Sequence, residues 1–477
     1  MKNVLFTLFL LFISDLFVTT HHVFTLTGRV VDHEGEGIAG VVVNDGVNFT
    51  TTDALGRWTL NTDSMESKFV AISTPAQYYL PNDSGMARFY IPIAEAVYQD
   101  HNVFVLTRRE RPARHFTYLA IGDPQVQNDN DLRRWQNETI KDLRRATDSL
   151  KHKGDVVAMT LGDLVFDRQK LFTAYAATVR NLGATTFQTI GNHDMNGKYA
   201  DRHLAGSEAD AYAEHDYEAM FGPTDYSFNI GEIHVITMKN ISYHGKGRYI
   251  EAMSDKQLEW LRRDLSYVPK GTTVFLNMHA PAWNSVSGID NMREGDLLAK
   301  VLKDYVVHVF CGHTHFFQNV AVNPTLYQHN VGAACGAWWQ GQVGQDGSPN
   351  GYLIVDVAGS QVKWHYRVTA DGCDTQMRLY RPATFRQSPN DVVANVWDYD
   401  EACKVEWYED GKKKGAMSRF VATDEEFLRE RTPRLKNNAE RPTGHLFRCH
   451  PSHEAKTVTV VFTNRFGERY RQQLDLG

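Results

Sequence analysis

Cysteine is scarce in this chain: five in 477 residues, at positions 311, 335, 373, 403 and 449. All lie in the second half without the short paired spacing of a cysteine-built metal site, so a zinc ribbon or iron–sulfur cluster is excluded. An odd count also leaves at least one thiol outside any set of disulfides, and Cys311, inside an apolar run, reads as a buried free thiol. Positive charge is not in excess, the formal net charge being −6. The one short basic run, Lys412-Lys413-Lys414, follows Asp410-Gly411 and reads as a solvated turn, so no nucleic-acid-binding surface is expected. Beyond the first residues there is no apolar run long enough for a membrane-spanning helix, and there is no internal repeat or low-complexity segment.

What is present divides the chain. Met1 to about Thr20 carries an early lysine and an apolar run from Val4 to Ile13, the pattern of a secretory signal peptide. The chain is therefore expected to be exported: periplasmic, at the cell surface or secreted. Asn-x-Ser/Thr sites stand at Asn48, Asn82, Asn137 and Asn240. Over 21–110, short alternating runs separated by Glu34-Gly35, Asn44-Asp45-Gly46 and Leu55-Gly56 predict a small β-sandwich. The run from Gly28 to Trp58 resembles carboxypeptidase-regulatory-like sandwiches and carries no chemistry of its own. A charged connector, Arg108 to Arg114, ends this domain.

Over 111–325 strand-like and helix-like patterns alternate, which predicts a layered α/β core. Leu132 to Leu150 and Leu171 to Leu182 show helical spacing, and Ser254 to Gln257 is a capping box opening a third helix. Tyr226 to Asn240 reads as a hairpin turning at Gly231-Glu232. From 326 to 477 the pattern is mostly β, including a strand pair, Gly351–Val357 with Val362–Val368, assigned here to a C-terminal domain.

Five apolar runs of the middle segment end in polar clusters: Gly122-Asp123-Pro124-Gln125, Gly162-Asp163, Gly191-Asn192-His193-Asp194, Met278-His279, and Gly312-His313-Thr314-His315. Carboxylates, imidazoles and amides delivered to one rim of a sheet suit divalent metals of the Mn, Fe or Zn kind rather than Ca or Mg. Two such ions a few ångströms apart can activate a hydroxide and neutralise a phosphoryl group.

In order and local sequence these five blocks resemble the calcineurin-like metallophosphoesterase superfamily, over roughly Thr117 to Gln318. The resemblance implies a β-sandwich core flanked by helices and a dinuclear metal-dependent hydrolase of phosphate mono- or diesters. It also implies ligand sets. Asp163 would bridge; Asp123, Gln125 and His315 would complete one metal site; Asn192, His279 and His313 would complete the other. Gln125 departs from the family, which has histidine there. His193 is implied as the leaving-group acid, with Asp194 holding its ring. Trp338 and Trp339, and less so Trp283, are candidates for an aromatic wall around the substrate's organic group. Cys335 has no nucleophilic task beside such metals. The alternative reading, suggested by Gln125 and the sandwich domain, is a non-catalytic binding protein on a degenerate phosphoesterase scaffold. Oligomeric state is not legible.

Overall fold

The computed structural model describes residues 23–97, 102–180, 182–195, 206–285, 291–369, 375–431 and 441–477. The expected signal segment and Cys373 lie outside them. The alternating runs of the first part form two small sheets. One has the order Arg57–Asp63, Val23–Val31, Asn102–Val105, the other Phe49–Thr51, Val42–Asn44, Phe69–Ser73, Tyr90–Pro92. Their inward residues, among them Leu26, Val41, Trp58, Leu60 and Val70, are buried together.

The catalytic-type core is two sheets face to face. Its first sheet has seven strands in the order Gln361–Val368, Gly351–Ala358, His115–Ile121, Asp155–Thr160, Thr185–Gln188, Met86–Ala87, Asn82–Asp83. The second has six, in the order Tyr226–Ile230, Ile233–Thr237, Thr273–Asn277, Val306–Cys311, Leu326–Asn330, Gln318–Asn323. Strands 115–121, 155–160 and 185–188 run parallel in the first, and 273–277 runs parallel to 306–311 in the second. Their polar clusters thus leave the same ends of the strands, where open α/β sheets place their sites. Between the layers Tyr118 lies against Phe275 and Phe310 and donates its hydroxyl to Asn277 Oδ1 at 2.6 Å. Helices Lys141–Leu150, Phe172–Val179 and Gly206–Phe221 lie with the apolar cluster outside the first sheet, Asp255–Leu265 and Gly295–Leu302 with that outside the second.

The strand pair 351–368 is not part of a separate C-terminal unit. Gly351–Ala358 pairs antiparallel with His115–Ile121, and Leu326–Asn330 pairs with Val306–Cys311, so the expected break at 325/326 falls inside the core sheets. The reason is burial: all but two residues of Gly351–Ala358 are inaccessible, which a two-stranded ribbon could not achieve. Met86 likewise joins the sheet edge beside Thr186 from the N-terminal part. The C-terminal sandwich proper consists of two four-stranded sheets from Met377 onward, with Val392, Val405, Phe447 and Val458 in its core. Lys412-Lys413-Lys414 begins an exposed edge strand beyond the turn, with Lys413 on Glu406 and Lys414 on Glu409. The four described cysteines are free, and Asn240 is fully buried, which removes it as a glycosylation site.

Candidate metal centre

The glycines of the motifs have steric causes. A Cβ on Gly191 would lie 2.2 Å from Asp163 Oδ1, and one on Gly312 would lie 2.2 Å from Asp123 Oδ2. Each glycine therefore admits a carboxylate from a neighbouring strand end against the backbone. The strand ends themselves are strained: Asp123, Gln125, Asp163, His313 and His315 all have positive φ, between 39° and 71°. So do Asp167, Trp338 and Trp339. Non-glycine residues rarely adopt this conformation, and its concentration here marks a site held by its surroundings.

Asp163, His279 and His313 offer ligand atoms that lie within 4.8 Å of one another. His279 Nδ1 is 2.8 Å from the Leu161 carbonyl, which can only accept, so the proton sits there and Nε2 carries a lone pair. His313 Nε2 is 3.3 Å from Glu251 Oε1, which places its proton outward as well and leaves a lone pair on Nδ1. These two bare nitrogens face each other at 3.1 Å, beside Asn192 Oδ1 at 3.1 Å and Asp163 Oδ1 at 3.3 Å from His279 Nε2. Four acceptors converging on one point need a positive centre between them. Without a cation a proton can serve: burial alone would lower the His279 pKa, but the Asp163 and Asp123 carboxylates push it up to about 9. A divalent ion would take the place of that proton and satisfy more of the ligand atoms. The residues fit a metal.

The adjoining half of the site holds Asp123, Asp163, His315 and Gln125. His315 Nδ1 donates to the Gly336 carbonyl at 2.7 Å, leaving Nε2 bare 3.7 Å from Asp123 Oδ1. Asp123 takes the His313 backbone N–H at 2.9 Å. Burial and the Asp163 charge push its carboxyl up to about 7, whereas Asp163, although buried, is held low by His279 and His193. Two buried carboxylates with a neutral imidazole also fit a cation. Gln125 behaves differently from a family histidine: its Nε2 donates to Asp163 Oδ2 at 2.6 Å, and its buried Oε1 has no partner among the described residues.

His193 lies next to this pair. Its backbone N–H donates to Asp163 Oδ1 at 2.8 Å, its Nδ1 is 3.0 Å from Asp167 Oδ1, and its ring stacks on Phe166 at 4.0 Å. Asp194 does not hold the ring. Its carboxylate is fully buried, accepts the backbone N–H groups of Val165 and Gly191, and so ties two motif loops together. Sequence reasoning missed Asp167, although a carboxylate four residues after the Gly162-Asp163 motif was the signal available. It also missed Glu251 and Asn240. The Asn240 Oδ1 accepts the His279 and Ala280 N–H groups and its Nδ2 donates to the Ala280 carbonyl, which fixes the loop carrying His279.

The tryptophans separate. Trp338 is half-buried and stacks on His315 at 4.7 Å. Trp339 is a packing residue, buried, with Nε1 donating to the Pro124 carbonyl at 2.8 Å and Arg134 over its ring. Trp283 is also structural: its backbone is held on both sides by the Gln328 amide, and its ring is buried against the helices of the second sheet. Cys335 is buried and its thiol is pushed up in pKa, so it stays protonated.

Comparison with known proteins matches three consecutive segments of the chain, the last of which includes the strand pair 351–368. Residues 24–109 match the N terminal of Calcineurin-like phosphoesterase, 116–317 the Calcineurin-like phosphoesterase domain itself, and 328–470 the C terminal of Calcineurin-like phosphoesterase. A "Probable cyclic nucleotide phosphodiesterase" of Rhodococcus erythropolis is 25% identical over 218 residues, which is 43% of this chain and 65% of that protein. Among solved structures, purple acid phosphatase from yellow lupin (Lupinus luteus) seeds aligns with TM-score 0.40 at 12% identity, covering 74% of this chain and 68% of that one. A dimetal phosphatase from Danio rerio aligns with TM-score 0.33 at 13% identity, covering 53% and 99%. With three consecutive matches to the parts of one family spanning its sandwich, core and C-terminal region, the chain belongs to the calcineurin-like phosphoesterases.

Proposed function

We propose that this chain hydrolyses phosphate mono- or diesters at a site holding two divalent cations, of the Mn, Fe or Zn class. The observation that carries the reading is the facing pair of bare nitrogens, His279 Nε2 and His313 Nδ1, with Asp163 and Asn192 beside them. Asp163, Asn192, His279 and His313 would hold one ion; Asp123, Asp163 and His315 would hold the other. Bound there, divalent cations supply charge against the phosphoryl oxygens and acidify water.

The protein's own groups do the rest. Asp167 keeps the His193 proton on Nδ1, so Nε2 is the atom that exchanges a proton with the leaving-group oxygen. Asp194 keeps the Asp163 and His193 loops at fixed separation through Val165 and Gly191. The N-terminal apolar run, Val4 to Ile13, supports an exported enzyme.

The test is hydrolysis of 4-nitrophenyl phosphate and its bis-ester by the purified chain, with metal content measured on the same sample. Turnover that chelation abolishes and Mn, Fe or Zn restores is expected, and Asp163→Ala should lose both turnover and bound metal while keeping its circular dichroism. Stoichiometric metal with no turnover on any ester would instead support a binding protein on this scaffold.

A further inference from the structure

The centre opens on one side into a small cleft of about 210 Å³, lined by Gln125, Phe166 and Trp338 with Gln127, Asn130 and Gln340 at its rim. We infer that this cleft receives a sugar ring joined directly to the ester oxygen, so that the substrate is a sugar phosphate. The inference rests on the phosphoesterase reading above and names the organic group that the reading leaves open.

Three features carry it. First, position: Phe166 is the ring stacked on His193, and Trp338 the ring stacked on His315, so the cleft borders both the proton-exchanging group and the metal cradle. A group held there lies beside the site, where a sugar joined directly to the ester oxygen would sit. Second, chemistry: the two rings are half-buried and present apolar faces, whereas the polar lining is mostly carboxamides, with the one carboxylate of Asp131. The side-chain amides of Gln127 and Asn130 enter no hydrogen bond among the described residues and are available to a ligand. No lysine or arginine lines the cleft, so a second phosphate, as in a nucleoside diphosphate, finds no counter-charge. Apolar faces set against amides and a single carboxylate match a pyranose, which has C–H faces and a belt of hydroxyls. Third, an unmet valence: Gln125 is buried, its Nε2 is committed to Asp163, and its Oε1 has no partner among the described residues. A hydroxyl adjacent to the ester oxygen would supply the missing donor. This gives the departure from histidine at position 125 a task in recognition.

The experiment compares a hexose 1-phosphate, glycerol 1-phosphate and 4-nitrophenyl phosphate as substrates of the metal-loaded chain, with Trp338→Ala and Gln127→Ala beside it. The hexose ester should have the highest kcat/KM of the three. Each variant should lower the hexose-to-glycerol ratio of kcat/KM by about ten-fold, mainly through KM. Equal kcat/KM for the hexose and glycerol esters, or variants that leave the ratio unmoved, would overturn the inference. A preference for a 5′-nucleotide over the hexose ester would overturn it as well. If no ester is turned over, the catalytic reading fails by itself, and the cleft is then judged by titrating the hexose phosphate against tryptophan fluorescence: quenching lost in Trp338→Ala supports it, and no quenching in the natural chain ends it.

Discussion

The acid-base residue and its orienting partner are a single-residue question. His193 Nδ1 sits on Asp167, and among the described residues the buried Asp194 accepts from backbone N–H groups alone. Asp167→Asn and His193→Ala should therefore fall together, by about 10² to 10⁴ in kcat for alkyl phosphates. Both should lose less with 4-nitrophenyl phosphate, whose leaving group needs little protonation. Asp194→Asn should behave differently, lowering the melting temperature with the dependence on leaving group unchanged. A loss that is larger for alkyl than for 4-nitrophenyl phosphate in Asp194→Asn, and not in Asp167→Asn, would reverse the assignment. At the same scale, Gln125→Ala frees Asp163 Oδ2 from its 2.6 Å hydrogen bond. Metal titration of that variant should show retained or tighter binding, since a competing donor has gone, together with a raised KM for the hexose ester. Weakened binding with unchanged KM would make Gln125 a ligand after all.

At the scale of elements, what matters is which strand supplies support to a ligand. Glu251 belongs to a short strand, Tyr249–Glu251, paired with Ile241–Tyr243, and that hairpin is tied down where Asp210 accepts the Tyr243 N–H at 2.7 Å. Asp210 also pairs with Lys239, which lies between it and Glu214. The hairpin thus carries the carboxylate that turns His313 Nδ1 toward the centre. Glu251→Gln should weaken metal binding by about 10- to 100-fold, as loss of an orienting partner to a ligating histidine does. Equilibrium dialysis measures it directly; unchanged affinity would mean that the His313 ring is held by packing alone. Metal uptake should also release protons near neutral pH, because His279 is pushed up to about 9 without a cation. Calorimetry in buffers of different ionisation enthalpy gives the number released, and a value of zero would remove the proton from the facing nitrogens.

For the molecule as a whole, the N-terminal sandwich and the core share one continuous apolar cluster. Phe89 touches Phe187 and Tyr226, Met86 pairs beside Thr186, and Asn229 Nδ2 donates to the Thr74 carbonyl. The full chain should not melt as an independent sandwich plus an independent core, and a fragment from 110 onward should aggregate, since removing the sandwich bares Phe187 and the strand edge beside it. Scanning calorimetry and light scattering check both. On the other side, His308 and His329 lie 3.0 Å apart among Phe310, Tyr327 and Trp364, with Arg465 of the C-terminal sandwich over Tyr327 and Trp364. Burial lowers the His308 pKa to about 4, and His329 is depressed further by burial and by His308. The unfolded chain therefore binds more protons than the folded one as pH falls from about 6.5 to about 4, so stability drops over that window. The melting temperature of His308→Phe should fall less steeply with pH than that of the natural chain. Parallel curves would place the acid sensitivity elsewhere.

Much of this was written locally. The five polar clusters were legible because each follows an apolar run within a few residues, and the hairpins at Gly231 and Gly359 because turn chemistry is local. Glycine before four of the five blocks was legible too, and the close approach of neighbouring atoms is its cause. Choices between neighbours were not. Asp194 follows His193 directly, yet Asp167, 26 positions away, reaches the ring, since a carboxylate's direction depends on how two loops meet. Trp338 and Trp339 are adjacent, yet one lies over His315 and the other is in the core, donating to the Pro124 carbonyl. The strand pair 351–368 was legible as strands, but its place beside His115–Ile121 was decided by the unpaired edge of a sheet built more than two hundred residues earlier. Sequence by itself determined which side chains could gather a cation; only the tertiary structure decided which of them face each other, because pairing across sheets and loops is settled by burial and hydrogen bonding between distant segments.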